Sequence, residues 1–570
     1  MAQQQEREER AEEQGTVPQP GPRPRRWSRD LLAKILLWAV IAAPALFAVL
    51  EVARSPKLNS VDYWVVLGMT TSDGALQVDK LFELYHEHPV LLVAVLFWLD
   101  AKLFDGTNQP LGVLSLLLAG AMLAALWRML PARLTGNARL AVIGALSALV
   151  FSSAATEYFG FGMMGVQWLI ALAPAVTALA FAHHGRTIPA ILFAGIASLG
   201  HGVAFPVWIA LAVVAWLRRD GRWRILLPLG IGVAVFAVWR LVPQQVGYAQ
   251  AGIAGPDTHL GAALTTFGQI WSYSSVDLAL LTGALVIGAY GVLSARSVRE
   301  RLGTAAPGTM SSAEDAGWVG LVVHLVLASI MIGISRGGMA NNGGLAPRYA
   351  GIALLGAAAL VVLLSGRGPR AIRARMVPVA LVIALVTYAV GSTSASAARS
   401  RYPDQPVLAV AMRVDATSVI SELYGYPNLN ERLRRMSVYP FTEDFTLGCG
   451  GPELDDRIDM ASVPALPEVS PDRKTMGAVD EDAVVGDRQL NGWAIIEGRR
   501  ADCVLVVDGS GTVVGGGTVG VPRQDVTTFT NASGRSGFRA VAAPDVENGT
   551  VLVMKDGKTY RVALAGKPPE

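Results

Sequence analysis

Residues 60–92 read SVDYWVVLGMTTSDGALQVDKLFELYHEHPVLL and follow directly on a long apolar run. The stretch carries Asp62, Asp73, Asp79, Glu83 and Glu87, together with His86 and His88. Carboxylates and imidazoles are the side chains that exchange protons or hold cations near neutral pH, so chemistry is sought here first. Asp62 sits in Val-Asp-Tyr-Trp, beside aromatics suited to a membrane interface. A carboxylate held among aromatics is partly desolvated, which favours proton acceptance and suits a general base. A plain interfacial cap is the competing reading. His86 and His88 are two residues apart and cannot share a helix face, which excludes the HExxH zinc arrangement. A divalent cation would need further ligands from elsewhere in the chain. The other reading places His86-Glu87-His88 on the rim of a cavity, with Glu87 as a second acid or a ligand of sugar hydroxyls. Asp73, in Ser-Asp-Gly, reads as a turn. Asp79 and Glu83 read as a solvated helix face, and Asp100 and Lys102 as interfacial charges.

A second constellation lies late in the chain, in ISRGGMANNGGLAPRYAG. Arg336 and Arg348 bracket it, and Tyr349 adjoins the second arginine. Glycines between them allow a backbone to approach a ligand closely, and guanidinium forks match phosphate oxygens. Snorkelling toward lipid headgroups is the bland alternative. Arg240, near the end of its helix, is a weaker candidate. Glu157-Tyr158 and Gln167-Trp168 flank FGFGMMGV. They offer an acid, an amide and rings that stack on a sugar, or else an interfacial belt. His201 and His324 read as packing residues. The chain has no Walker loop, no GxGxxG before a soluble helix and no cysteine cluster, so ATP-driven transport and nucleotide-sugar chemistry inside the cell have no support.

These residues need elements to hold them. The chain has 570 residues, of which 52% are hydrophobic and 16% charged, with mean hydropathy +0.41. Soluble domains carry roughly 25% charged residues. The deficit is confined to residues 30–391, where apolar runs alternate with short basic connectors. Runs long enough for helices begin near Leu31, Pro110, Ala138, Gln167, Ile188, Val203, Ile225, Val276, Trp318, Ala350 and Met376. This predicts an α-helical polytopic membrane domain of about eleven spans at ~20 residues each, those at Ile188 and Val203 being marginal. Residues 1–29 are charged and proline-rich, and read as a disordered cytoplasmic segment. With that end inside, the dense basic connectors also fall inside, as the positive-inside rule requires. The assignment holds only if HPVLLVAVLFWLDAKLF (88–104) lies along the outer surface and does not span. Residues 54–109 are then the first outer loop, and everything from Ser392 lies outside the plasma membrane.

The exterior portion divides at about residue 480. Residues 392–480 look irregular. Residues 481–570 carry short β segments, among them LNGWAIIEG, CVLVVDGSG and TVLVMKDGKTYRVAL, broken by Gly and Asp-Gly turns. A small extracytoplasmic β-sandwich is expected. Cys449 and Cys503 are the two cysteines of the chain. An exterior location permits a disulfide between them, and two unpaired thiols are the alternative. Gly492, Trp493, Asp508, Gly509, Arg523, Asp525, Val526, Ser536, Gly537 and Phe538 form a diffuse pattern. It resembles that of accessory modules on bacterial carbohydrate-handling proteins.

The run HPVLLVAVLFWLDAKLFDGTNQPLG, continuing through LLLAGAMLAALWRML, follows a first helix and a loop with an early acid. Together with the late R-G-G…P-R-Y, this resembles the GT-C superfamily of membrane glycosyltransferases. That group includes protein mannosyltransferases and the aminoarabinose transferase of lipid A. The resemblance implies a GT-C-like membrane domain of an inverting enzyme. Such an enzyme passes a sugar from a polyprenyl-phosphate donor to a glycan, lipid or protein acceptor of the cell envelope. It assigns the catalytic base to Asp62 with Glu87 second, and the leaving phosphate to Arg348 with Arg336 second. Tyr349, His86, His88, Glu157 and Trp168 are expected around the substrate. Many relatives carry two adjacent acids where Asp62 is followed by aromatics. Lys or Arg is also usual where this chain has His86-Glu87-His88. Donor identity and the use of a divalent cation therefore stay open. Two other classes compete: a non-catalytic component of envelope-polysaccharide translocation, and an O-antigen-type polymerase or ligase. The latter places its large loop late between helices, whereas this chain places a rich loop first.

Overall fold

The computed structural model describes residues 29–59, 61–242, 244–246, 256–272, 274–303, 312–338, 343–366, 370–423, 425–530 and 534–565. The basic N-terminal segment and parts of the two late loops expected outside lie outside the described residues. The membrane-type helices are α1 (Arg29–Arg54), then, after α2 (Val61–Thr70) and α3 (Leu91–Leu103), α4 (Asn108–Arg128), α5 (Gly136–Val150) and α6 (Gly162–His183). They continue as α7 (Thr187–Gly200), α8 (Val207–Leu217) and α9 (Arg222–Leu241), then, after the shorter α10 (Pro256–Gly268), as α11 (Val276–Arg301), α12 (Ser312–Arg336), α13 (Ala350–Ser365) and α14 (Arg370–Val390). Among the described residues, nine helices are long and apolar enough to cross a membrane, and two shorter apolar ones, Thr187–Gly200 and Gly202–Leu217, accompany them.

A helix apolar all round is either buried in protein or faces lipid. α6 and α13 are buried on nearly every face and form the centre of the bundle. α9 is apolar but almost wholly exposed, with Leu226, Val233, Phe236 and Val238 outward. Lipid tails are as apolar as leucine, so close helix contact must come from shape and hydrogen bonding. α4 and α6 meet through small residues: a Cβ on Gly162 would overlap the Gly112 nitrogen and come within 2.7 Å of the Asn108 carbonyl oxygen. Asn108 is fully buried at this crossing, donating to the Gly160 carbonyl (2.9 Å) and to Ser55 Oγ (3.1 Å) and accepting from Gly162 N–H (2.7 Å). Gly162→Val should therefore lower stability by about 1–3 kcal/mol, the usual cost of overpacking. Thermal unfolding of the detergent-purified protein reads this, and an unchanged midpoint would count against the close crossing.

The two ends of the bundle differ in chemistry. At one end Arg133 reaches Glu314, Asp315 and the Gly366 carbonyl, Arg218 reaches the His183 carbonyl, and Arg301 donates to the Trp216 carbonyl at 2.6 Å. These contacts gather the starts of α5 and α12 with the ends of α6, α8, α11 and α13, so the basic connectors share one side. At the opposite end lies a second apolar core. It joins Tyr63 and Leu67 of α2, Val93 and Phe97 of α3, and Val407, Val410, Ile420 and Leu433 from the chain beyond α14.

α3 belongs to this second core. Its 13 residues span about 20 Å, short of a hydrocarbon core of about 30 Å. Its buried face includes Asp100, which the sequence placed at an interface. Asp100 is in fact 3% exposed and accepts a 2.8 Å hydrogen bond from Tyr63 Oη. Burial pushes its carboxyl up to about 7, with the Tyr63 bond pulling the other way. Lys102 is exposed. Asp73 occupies a tight turn with φ +48°. Asp79 and Glu83 share no helix face, because only the single 3₁₀ turn Lys80–Phe82 lies between them.

Residues 392–480 are more regular than expected: Ser392–Arg399, Asp404–Arg413, Thr417–Glu422 and Asn430–Arg435 are helical. The C-terminal β unit departs from the sandwich. A small sheet near α2 supplies β1 (Leu84–Tyr85), β2 (His88–Pro89) and β3 (Gln244–Val246). The C-terminal strands are β4 (Met476–Val479), β5 (Gln489–Ile496), β6 (Cys503–Val507), β7 (Val513–Val521), β8 (Gly537–Ala542), β9 (Thr550–Lys555) and β10 (Lys558–Leu564). β5 pairs with β4 on one side and β8 on the other, while β8, β7, β6, β9, β10 and β4 follow in order, so the sheet closes into a barrel. Closure leaves no open sheet edge among these strands. Alternating inward and outward residues look the same in a sandwich and a barrel, which is why the sequence pattern could not separate them. Cys449 and Cys503 are joined in a disulfide, with Cα atoms 5.2 Å apart, tying the preceding segment to β6.

Candidate functional site

At the end of the bundle opposite the basic connectors lies a cavity of about 690 Å³. Asp62, His86, Glu87, His88, Trp168, Arg336, Arg348 and Tyr349 all line it. These residues come from the start of α2, the β1–β2 hairpin, the second turn of α6, the end of α12 and the start of α13. Segments hundreds of residues apart therefore converge because their helices end at the same level.

Asp62 is half-buried, and its Oδ1 accepts a 3.0 Å hydrogen bond from Tyr85 Oη. Tyr85 is 4% exposed on β1, so it is a fixed donor. His86 and Glu87 form the turn between Tyr85 and His88, whose Cα atoms are paired across the hairpin. His86 takes φ +53°, a left-handed conformation uncommon for residues other than glycine. The tight turn thus explains how His86, Glu87 and His88 all reach one cavity without sharing a helix face. Glu87 meets Arg336 at 2.6 Å, and its carbonyl accepts from Trp239 Nε1 at 2.8 Å. The Arg348 guanidinium lies 5.4 Å from the Tyr349 ring, and its carbonyl accepts from Tyr158 Oη at 2.5 Å.

His88 stacks on His201 with ring centroids 3.9 Å apart, and Trp168 packs on His201 at 4.7 Å. His201 Nδ1 accepts from Val203 N–H at 3.2 Å, so the neutral ring carries its proton on Nε2. Burial holds His88 down to about 3, and the charges of Arg336, His86 and Arg348 add to the effect. His201 is likewise held well below the usual imidazole range, by burial first. His88 is therefore neutral despite standing 3.4 Å from Glu87. A depressed imidazole favours the folded state above pH ~6.5 and loses that contribution as pH falls below it. The unfolding midpoint should drop between pH 7 and pH 5, and the drop should be smaller in His88→Gln. Equal slopes in the two proteins would show that His88 is not the source.

Glu157 does not reach the cavity. It is 5% exposed and bonds to Arg401 at 2.6 Å, tying the bundle to the segment after α14. Conversely, Tyr85, Gln167, His201, Trp239, Arg240 and Tyr426 do line it. Gln167 is the amide read beside Trp168, Arg240 is the weaker sequence candidate, and His201 reads from sequence as packing. Tyr85, Trp239 and Tyr426 carried no sequence signal beyond being aromatic. His324 is fully buried away from the cavity. No group of three or more His, Cys, Asp or Glu side chains among the described residues is arranged to hold a metal ion. Glu87, the carboxylate 3.4 Å from His88, is already paired with Arg336. The residues present therefore do not fit a divalent cation.

The electrostatics suit an anion. Arg240, Arg336 and Arg348 face Asp62 and Glu87, while His88 and His201 are neutral, leaving an excess of positive charge before His86 is counted. One wall is apolar, formed by Phe236, Ala328, Met331, Ile332 and Ile334, and Phe236 and Ile334 are also exposed at the bundle surface. The cavity thus combines a half-buried carboxylate with a fixed donor, paired guanidinium groups, and an apolar wall. No known family model matches the chain, and no curated protein or solved structure shows significant similarity to it.

Proposed function

We propose that the protein is an integral membrane glycosyltransferase of GT-C type, carrying a sugar from a polyprenyl-phosphate donor to a cell-envelope acceptor at the outer face of the plasma membrane. The observation that carries this reading is the convergence of Asp62, Arg336 and Arg348 on one cavity with an apolar wall. In this mechanism the Asp62 carboxylate takes the proton of the acceptor hydroxyl as its oxygen attacks the anomeric carbon. The bond from that carbon to the phosphate oxygen breaks, and its electron pair goes to the phosphate. Arg348, with Arg336 beside it, meets the charge that develops there. The apolar wall takes the first isoprene units of the donor. The eleven apolar helices span the bilayer in this reading, with the N-terminus and the basic connectors on the cytoplasmic side. The cavity and the barrel lie outside.

The test uses purified full-length protein in lipid nanodiscs, with labelled polyprenyl-phosphate sugars and an extracted envelope fraction as acceptor. Transfer of label is the expected result. Failure of every donor to be consumed would remove the enzymatic reading. A tag after residue 570 should also be cleaved by protease added to unbroken cells, and protection of that tag would reverse the orientation.

A further inference from the structure

Among the residues lining the cavity, Tyr426 stands apart by origin. It comes from the segment between α14 and the barrel, so the chain beyond the last long apolar helix completes the site. Its side chain is unlike the buried cavity tyrosines Tyr85 and Tyr349. The residue is 50% exposed, and among the described residues its side chain makes no hydrogen bond or ring contact. An aromatic ring left open at the mouth of a polar cavity is available to a ligand with an apolar face.

The segment that carries the ring is anchored to the helix that carries Asp62. Pro427–Leu429 forms a 3₁₀ turn directly after it, and Leu429 sits 3.3 Å from where a Cβ on Gly68 would lie. Arg432 donates to the Gly68 carbonyl. Asn430 anchors the same segment by donating to the Met412 carbonyl (3.0 Å) and to Asp415 (3.1 Å). Gly68 and Asp62 belong to the same ten-residue helix α2, so the turn after Tyr426 docks on the helix that carries Asp62. The arginines and the apolar wall come from other helices, α9, α12 and α13. The cavity therefore takes its guanidinium groups and apolar wall from one set of elements, and Asp62, Tyr85 and Tyr426 from another.

Resting on the glycosyltransferase reading, we infer that Tyr426 binds the acceptor and that the acceptor is a saccharide, whose ring stacks on Tyr426 while one of its hydroxyls meets Asp62. A pyranose or furanose offers the combination these residues require, with C–H bonds for an aromatic face and a hydroxyl for a carboxylate. The step adds no chemistry to the transfer: the saccharide oxygen attacks, its proton goes to Asp62, and the lipid phosphate leaves.

The experiment titrates the protein in lipid nanodiscs with two probes, reading binding by calorimetry. Farnesyl phosphate probes the guanidinium groups and apolar wall, and a panel of methyl glycosides and short oligosaccharides probes the other set. Tyr426→Ala should weaken binding of the panel's best saccharide about tenfold, the scale of one aromatic contact, with farnesyl phosphate unchanged. Tyr426→Trp should restore the saccharide affinity. Equal weakening of both probes, no change in saccharide affinity, or no saccharide binding to the unmodified protein would each overturn the inference. Failure of farnesyl phosphate to bind the unmodified protein would instead remove the glycosyltransferase reading on which it rests.

Discussion

Asp62→Asn should abolish most glycan transfer, lowering kcat by about 10²–10⁴, the range supplied by a positioned general base. The substitution is nearly isosteric. An asparagine carbonyl can still accept the 3.0 Å hydrogen bond from Tyr85, so the side chain keeps its place while losing its basicity. Folding should be indifferent, because Asp62 is only half-buried and forms no ion pair among the described residues. Membrane insertion and the unfolding midpoint serve as controls. Full activity with a normal midpoint would sink the proposed mechanism. Tyr85→Phe keeps the carboxylate but removes its fixed donor, so a smaller loss of kcat is expected. A loss in Asp62→Asn accompanied by an unfolded protein would be uninformative in itself, which is why Asp62→Glu is the companion. It retains the base one methylene further out and should recover part of the rate.

Arg348→Ala should lower kcat by about 10²–10³, the cost of removing one preorganised donor from a developing oxyanion. Arg348→Lys keeps the charge but not the planar fork, so it should fall between the two. Arg336 should behave differently although it lines the same cavity. It is paired with Glu87 at 2.6 Å, so Arg336→Ala removes a cation and leaves a carboxylate unpaired beside the phosphate. Repulsion then acts already on the bound donor. The expected signature is a raised donor KM, where Arg348→Ala shows mainly a reduced kcat. The double substitution Arg336→Ala with Glu87→Gln should recover donor affinity relative to Arg336→Ala alone. If Arg348→Ala transfers sugar at the original kcat, the phosphate role assigned to it is wrong.

Much of the architecture follows from one-dimensional physics. Each of the eleven apolar runs read from the sequence coincides with a helix, because a run of apolar residues bounded by basic connectors has few other stable solutions in a bilayer. The strands from LNGWAIIEG to the end were also legible, since Gly and Asp-Gly turns punctuate them. Their closure was not, because it depends on β5 pairing with β8, a contact between segments more than forty residues apart. Asp100 was misread for a related reason. A charge near the end of an apolar helix suits an interface, and only the docking of Tyr63 and the second apolar core turns that position inward.

The site divides along the same line. The sequence by itself determined which residue types were available: an acid after the first helix, a His-Glu-His cluster, and a late loop bracketed by arginines. Those are local properties of composition and spacing. The tertiary structure alone decided which of them meet. It paired Glu87 with Arg336, stacked His88 on His201, diverted Glu157 to Arg401, and brought Tyr426 from beyond α14 to the cavity mouth. Such contacts depend on where helices of different length end in space. That is set by the sum of packing over the whole bundle, which no single window of sequence contains.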